Sequence, residues 1–131
     1  MHKTLWQHIK RRILSFHYAF KGLWYIISTQ TNMQIHLFAT VLVTFAGFYF
    51  KITVYEWLAL ILIIALVLVS EIVNTAIEEI VNFISPEFNK QAGLIKDLGA
   101  AFVLIAAIFA VIIGAIIFIP HFIEIFNLHI M

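Results

Sequence analysis

Trp57-Leu-Ala-Leu-Ile-Leu-Ile-Ile-Ala-Leu-Val-Leu-Val69-Ser70 runs directly into Glu71-Ile-Val-Asn74-Thr-Ala-Ile-Glu78-Glu79-Ile-Val-Asn82. The first part is continuous apolar sequence of the kind that fits only a membrane span or a deep core. The second part keeps the Ile, Val and Ala but adds three carboxylates and two amides. Glu71, Asn74, Glu78 and Asn82 stand at i, i+3, i+7 and i+11, so on an α-helix they stack turn over turn on one face. The helix thus carries a polar stripe on a body that suits lipid. An ionisable group at membrane depth is costly and marks a functional site by default.

The composition places the whole chain in the membrane. Its 131 residues suffice for a single domain, and 63% of them are hydrophobic against 11% charged. The mean hydropathy is +1.04. A soluble globular protein lies far from these values. With no cysteine there is neither a disulfide framework nor a thiolate metal site. The basic N-terminus has periodic rather than continuous apolar residues, and no cleavable signal peptide is expected.

Working outward, the expected architecture is all-α and integral to the membrane: one domain over 1–131 with an amphipathic surface helix and three spans. The first helix covers about 4–28. Trp6, Ile9, Ile13, Phe16, Phe20, Trp24 and Ile27 recur at helical spacing, with Lys10, Arg11 and Lys21 mostly elsewhere. That pattern fits a helix lying in the membrane interface; a helix packed on the bundle is the alternative. Thr29-Gln30-Thr31-Asn32 is a polar break. Spans are expected over 33–50, 57–84 and 98–119, each near the 20 or so apolar residues a bilayer needs. Ser85-Pro86-Glu87-Phe88-Asn89-Lys90 reads as a loop, and Pro120 is expected to close the third span.

Lysine and arginine set the orientation. Lys3, Lys10, Arg11, Arg12 and Lys21 precede the first span, and Lys90 and Lys96 lie in the second loop, so seven of the eight basic residues fall on one side. That side is expected to be cytoplasmic. If the second span enters the membrane at Trp57, Glu71 lies about 21 Å along it, and Glu78 about 10 Å further. Glu71 is then the deep carboxylate and Glu78 the shallow one, near Lys96 and Asp97. A deep carboxylate can hold a lipid hydroxyl or take its proton. A shallow one can hold Mg²⁺ carrying a nucleotide, and a lysine and amides can orient phosphates. The five glycines form no soluble nucleotide-binding loop. His17 and His36 read as structural histidines, and His121 and His129 receive no role.

Glu71-Ile-Val-Asn74-Thr-Ala-Ile-Glu78, followed by Lys96-Asp97-Leu-Gly-Ala-Ala, closely resembles the two signature stretches of the small prokaryotic diacylglycerol kinase family, which includes undecaprenol kinases. Tyr18-Ala-Phe-Lys21-Gly22-Leu23 and Asn32-Met-Gln-Ile-His36-Leu resemble its N-terminal helix and the start of its first span. The resemblance covers about Phe16 to Pro120. It implies an ATP-dependent lipid kinase of the bacterial inner membrane, acting on diacylglycerol or undecaprenol as a homotrimer with active sites shared between subunits. No nucleic-acid partner is expected. Carried onto this chain, Glu71 is the general base, Glu78 a Mg²⁺ ligand, and Asn74, Lys96, Asp97 and Lys21 contacts to nucleotide or phosphate. Glu79 and Asn82 are additional candidates.

The chain departs from the family pattern twice. Gln30 stands where the family has a second metal-binding glutamate, and Asn82 where it has an aspartate. Both changes remove negative charge near the expected nucleotide. This leaves three readings: an active kinase, a catalytically impaired member of the family, and an ion-coupled transporter built around Glu71. The first and third spans hold no interior acid to partner Glu71 in transport.

Overall fold

The computed structural model describes residues 5–130, with side chains described as far as 127. Lys3, the expected helix start at Thr4 and the side chain of His129 lie outside the described residues. Four helices make up the described residues: α1, Leu5–Thr29; α2, Thr31–Phe50; α3, Val54–Ile84; and α4, Lys90–Ile130. Three of them, α2, α3 and α4, are long and apolar enough to cross a membrane. The all-α expectation therefore holds, while several boundaries move.

The polar break shrinks to Gln30 alone, in extended conformation between α1 and α2. Helix α2 ends at Lys51, whose φ of 52° lies in the left-handed region. The Ile52 N–H then reaches back to the Gly47 carbonyl at 3.1 Å, closing the turn in the manner of a Schellman end. Gly47 is required for this closure. A Cβ there would come within 2.8 Å of the Trp57 ring and 3.1 Å of Ile52.

Helix α3 starts at Val54, three residues before the expected Trp57, because Thr53 caps it. The Thr53 hydroxyl accepts from the Glu56 N–H at 3.3 Å, and the Glu56 carboxylate accepts from the Thr53 N–H at 2.6 Å. This reciprocal pair satisfies two N–H groups that the helix end would otherwise leave open.

Helix α4 departs furthest from expectation. It starts at Lys90 rather than near Leu98, because the Asn89 side chain accepts from the N–H groups of Gln91 and Ala92 at 2.8 and 3.2 Å. Nor does Pro120 close the span: the helix runs through it to Ile130. Proline removes one helical hydrogen bond, but in apolar surroundings leaving the helix altogether would open many more. Contacts just beyond Pro120 hold the continuation. His121 Nε2 lies 3.3 Å from Glu56 Oε1, and the Phe50 ring packs against both His121 and Phe122.

The main interface joins α3 to α4. Its end nearest the α2–α3 turn is a core of Ile52, Leu60, Ile63, Ile117 and Phe118. Helix α1 touches the rest mostly through its C-terminal end, where Ile26 is buried. Its apolar face does not pack on the bundle. Trp6, Phe16, Phe20 and Trp24 are each about 70% exposed, which leaves that face free to lie in a membrane surface.

Replacing Thr53 with alanine removes one half of the cap and should lower stability by about 1 kcal/mol. Glu56→Ala removes the other half together with the His121 contact, and should cost more. Thermal unfolding in detergent, compared for the two variants, checks the order.

Candidate active site

Local packing turns the stripe on α3 into a gradient of burial. At its inner end Ser70, Glu71, Asn74 and Thr75 are buried, Glu71 to 2% exposure and Asn74 to 5%. At its outer end Glu78 is half-buried and Asn82 exposed. Ser70 is satisfied within the helix, its hydroxyl donating to the Leu66 carbonyl at 2.7 Å. Three buried atoms are not satisfied among the described residues: Glu71 Oε2, Asn74 Oδ1 and Thr75 Oγ1. Buried oxygens without partners are rare in folded proteins and call for an explanation.

The shallow end is wired differently. Asn74 Nδ2 donates to Glu78 Oε1 at 3.2 Å, fixing one oxygen of that carboxylate. Lys96 Nζ, arriving from α4, donates to Asn82 Oδ1 at 2.6 Å. Lysine has three N–H donors, so two remain for other acceptors. Because position 82 is an amide, this contact leaves the lysine charge unneutralised.

The structure thus brings together Glu71, Asn74, Glu78, Asn82 and Lys96. Asp97 is exposed on α4, and Lys21 is exposed on α1. Gln30 donates from Nε2 to the Thr29 hydroxyl at 3.3 Å, and no hydrogen bond or ion pair among the described residues joins Gln30 or Lys21 to the stripe. Glu79 meets α1 in another way: the Tyr25 hydroxyl donates to Glu79 Oε1 at 2.9 Å. His36 lines a cavity of about 200 Å³ with Thr40, Leu60, Val67, Ala107 and Gly114, walled by α2, α3 and α4.

Sequence reasoning missed Tyr25, Thr75 and the role of Gly99, which is buried against Asn74. Thr75 lies inside the quoted stretch and was legible as a polar residue beside the stripe. Tyr25 had no local signal, since its partner is 54 residues away.

The donor set is all hard oxygen, the kind Mg²⁺ prefers. Among the described residues no three acidic or histidine side chains converge on one point. A site of that type suits an ion that keeps waters and arrives with phosphate ligands, rather than one held in a protein cage.

A three-span helical membrane protein with a buried carboxylate, a shallow carboxylate and a free lysine charge on one stripe has the parts of a membrane-embedded phosphotransferase. Comparison with known proteins agrees. Residues 17–118 match the family described as prokaryotic diacylglycerol kinase. The chain is 35% identical to a diacylglycerol kinase of Synechocystis sp. over 121 residues, covering 92% of this chain and 69% of that protein. It is 34% identical to an undecaprenol kinase of Bacillus subtilis over 112 residues, 86% of this chain and 91% of that one. A shorter match of 59 residues, at 46% identity, links it to diacylglycerol kinase of Escherichia coli, covering 45% of this chain and 48% of that protein. The chain belongs to the prokaryotic diacylglycerol kinase family, a family of lipid kinases.

The Tyr25 contact gives a spectroscopic handle. The hydrogen bond to Glu79, and then that residue's negative charge, raise the Tyr25 phenol above its ordinary range. The contact is therefore intact at neutral pH and is lost as pH rises through the raised value. Glu79→Gln should bring one tyrosine titration back down, seen as phenolate absorbance, and Tyr25→Phe should abolish that same component.

Proposed function

We propose that this lipid kinase transfers the γ-phosphate of ATP to the primary hydroxyl of diacylglycerol or undecaprenol at the cytoplasmic face of a bacterial plasma membrane. The observation that carries the reading is Glu71, which is 2% exposed, with Oε2 unpartnered inside the chain. A hydroxyl donor at membrane depth is what such an oxygen lacks, and a lipid alcohol brings one.

The chain's residues then divide the work. Glu71 accepts the hydroxyl proton as the lipid oxygen attacks the γ-phosphorus and the bond to the ADP oxygen breaks. Asn74 fixes the Glu78 carboxylate, which is the metal ligand of the site. Mg²⁺, when bound, neutralises phosphate charge in this reaction. Lys96, held by Asn82, turns its remaining N–H groups to phosphate oxygens, and its unneutralised charge favours an anionic ligand. Asp97 and Glu79 contribute to nucleotide placement at the rim.

Gln30 and Lys21 make no hydrogen bond or ion pair to the stripe of their own chain among the described residues, and this supports active sites completed by a neighbouring copy in a homotrimer. The excess of lysine and arginine before α2 and at the start of α4 supports a cytoplasmic N-terminus. The loss of charge at Gln30 and Asn82 favours weakened metal binding over an inactive protein, because the neutral Asn82 leaves Lys96 free for phosphate.

Transfer of labelled γ-phosphate from ATP to extracted lipid tests the reading. Labelling of either lipid should fall by about a thousandfold or more in Glu71→Ala. In Gln30→Glu, half-saturation by Mg²⁺ should move to a lower concentration. Absence of labelling in both lipids at every Mg²⁺ concentration would remove the kinase reading.

A further inference from the structure

Gly99 packs against the stripe from α4. It is buried there, two residues beyond the exposed Asp97. A Cβ built there would stand 2.7 Å from Asn74 Oδ1, closer than side-chain carbons are found to approach any atom. Its other neighbours, two methyl carbons of Ile77, would be at 3.4 and 3.5 Å, ordinary contact. The conflict is therefore with one atom only, the amide oxygen of Asn74.

That amide has little freedom. Asn74 is 5% exposed, and its Nδ2 is committed to Glu78 Oε1 at 3.2 Å. A side chain at position 99 would push Oδ1 aside, and the amide group turns as one rigid plane. Moving the oxygen takes the nitrogen off Glu78. The half-buried carboxylate then loses the donor that fixes it.

We infer that Gly99 is a positioning residue for the nucleotide end of the site: the absence of a side chain there lets Asn74 hold Glu78 in place. The inference rests on the kinase reading above and adds a residue to it. Gly99 acts through Asn74 and touches no substrate. Gly93, on the same helix, carries no such constraint, since a Cβ there would meet nothing within 4 Å.

The test uses full-length protein in lipid, with diacylglycerol or undecaprenol as acceptor, and compares wild type, Gly99→Ala, Asn74→Ala, the double variant and Gly93→Ala. Losing a hydrogen bond to a charged group should raise KM for MgATP about tenfold in Gly99→Ala. KM for lipid and the unfolding midpoint should stay near wild type, and Gly93→Ala should match wild type throughout. Because Gly99 works through Asn74, the double variant should be no worse than Asn74→Ala alone, a non-additive cycle. Unchanged MgATP kinetics in Gly99→Ala, or additive losses in the double variant, would overturn the inference while leaving the kinase reading in place. If Gly99→Ala fails to assemble, recovery of assembly in the double variant still identifies Asn74 as the group it meets, and failure to recover overturns the inference. A wild-type protein that labels no lipid removes the kinase reading and the role of Gly99 with it.

Discussion

A carboxylate buried in a membrane-spanning helix is the constraint on which the rest of this molecule turns. Taking Glu71 out of water costs free energy that its own chain does not return through hydrogen bonds, since Oε2 has no partner among the described residues. Such a group persists where its surroundings hold it for a purpose. Everything around it serves to grade the polarity from deep to shallow. Ser70 closes on its own helix, Asn74 turns to Glu78, and Asn82 meets Lys96 from α4. The helix stays helical throughout, as backbone in hydrocarbon must.

The gradient is held by the packing of α3 on α4, fixed at both ends by different means. At the end near the α2–α3 turn the fastening combines apolar packing with a polar clasp. Ile117 and Phe118 pack with Leu60 and Ile63, and His121 meets Glu56. At the stripe end it is close approach, with buried Gly99 against Asn74. A long α4 that continues through Pro120 makes both possible on one rigid element. The proline costs a hydrogen bond, while the Phe50, His121 and Phe122 rings hold the helix on the far side of it.

Much of this was legible in the sequence. The three spans follow from apolar runs of sufficient length, and the stripe follows from the i, i+3, i+7, i+11 spacing alone. The misreadings have physical causes. Asn89 is a strong helix cap, and reading Ser85–Lys90 as continuous loop overlooked it. Pro120 ends helices in water, where freed carbonyls find solvent, and that habit does not transfer to lipid. Tyr25 to Glu79 and Glu56 to His121 span 54 and 65 residues, and no local pattern announces them. Gly99 carries no signal of its own, because what matters there is an atom that is absent and a neighbour 25 positions away. The roles of Lys21 and Gln30 came from resemblance, and among the described residues no hydrogen bond or ion pair joins either to the stripe.

The depth gradient can be measured directly, since the chain has no cysteine of its own. Single variants Glu71→Cys, Glu78→Cys and Asn82→Cys, reconstituted in vesicles, would be exposed to a membrane-impermeant maleimide with and without MgATP. The account predicts rapid labelling at position 82, slower labelling at 78, little at 71, and protection of 82 by MgATP. Labelling at 71 as fast as at 82, or no protection of 82 by MgATP, would contradict it.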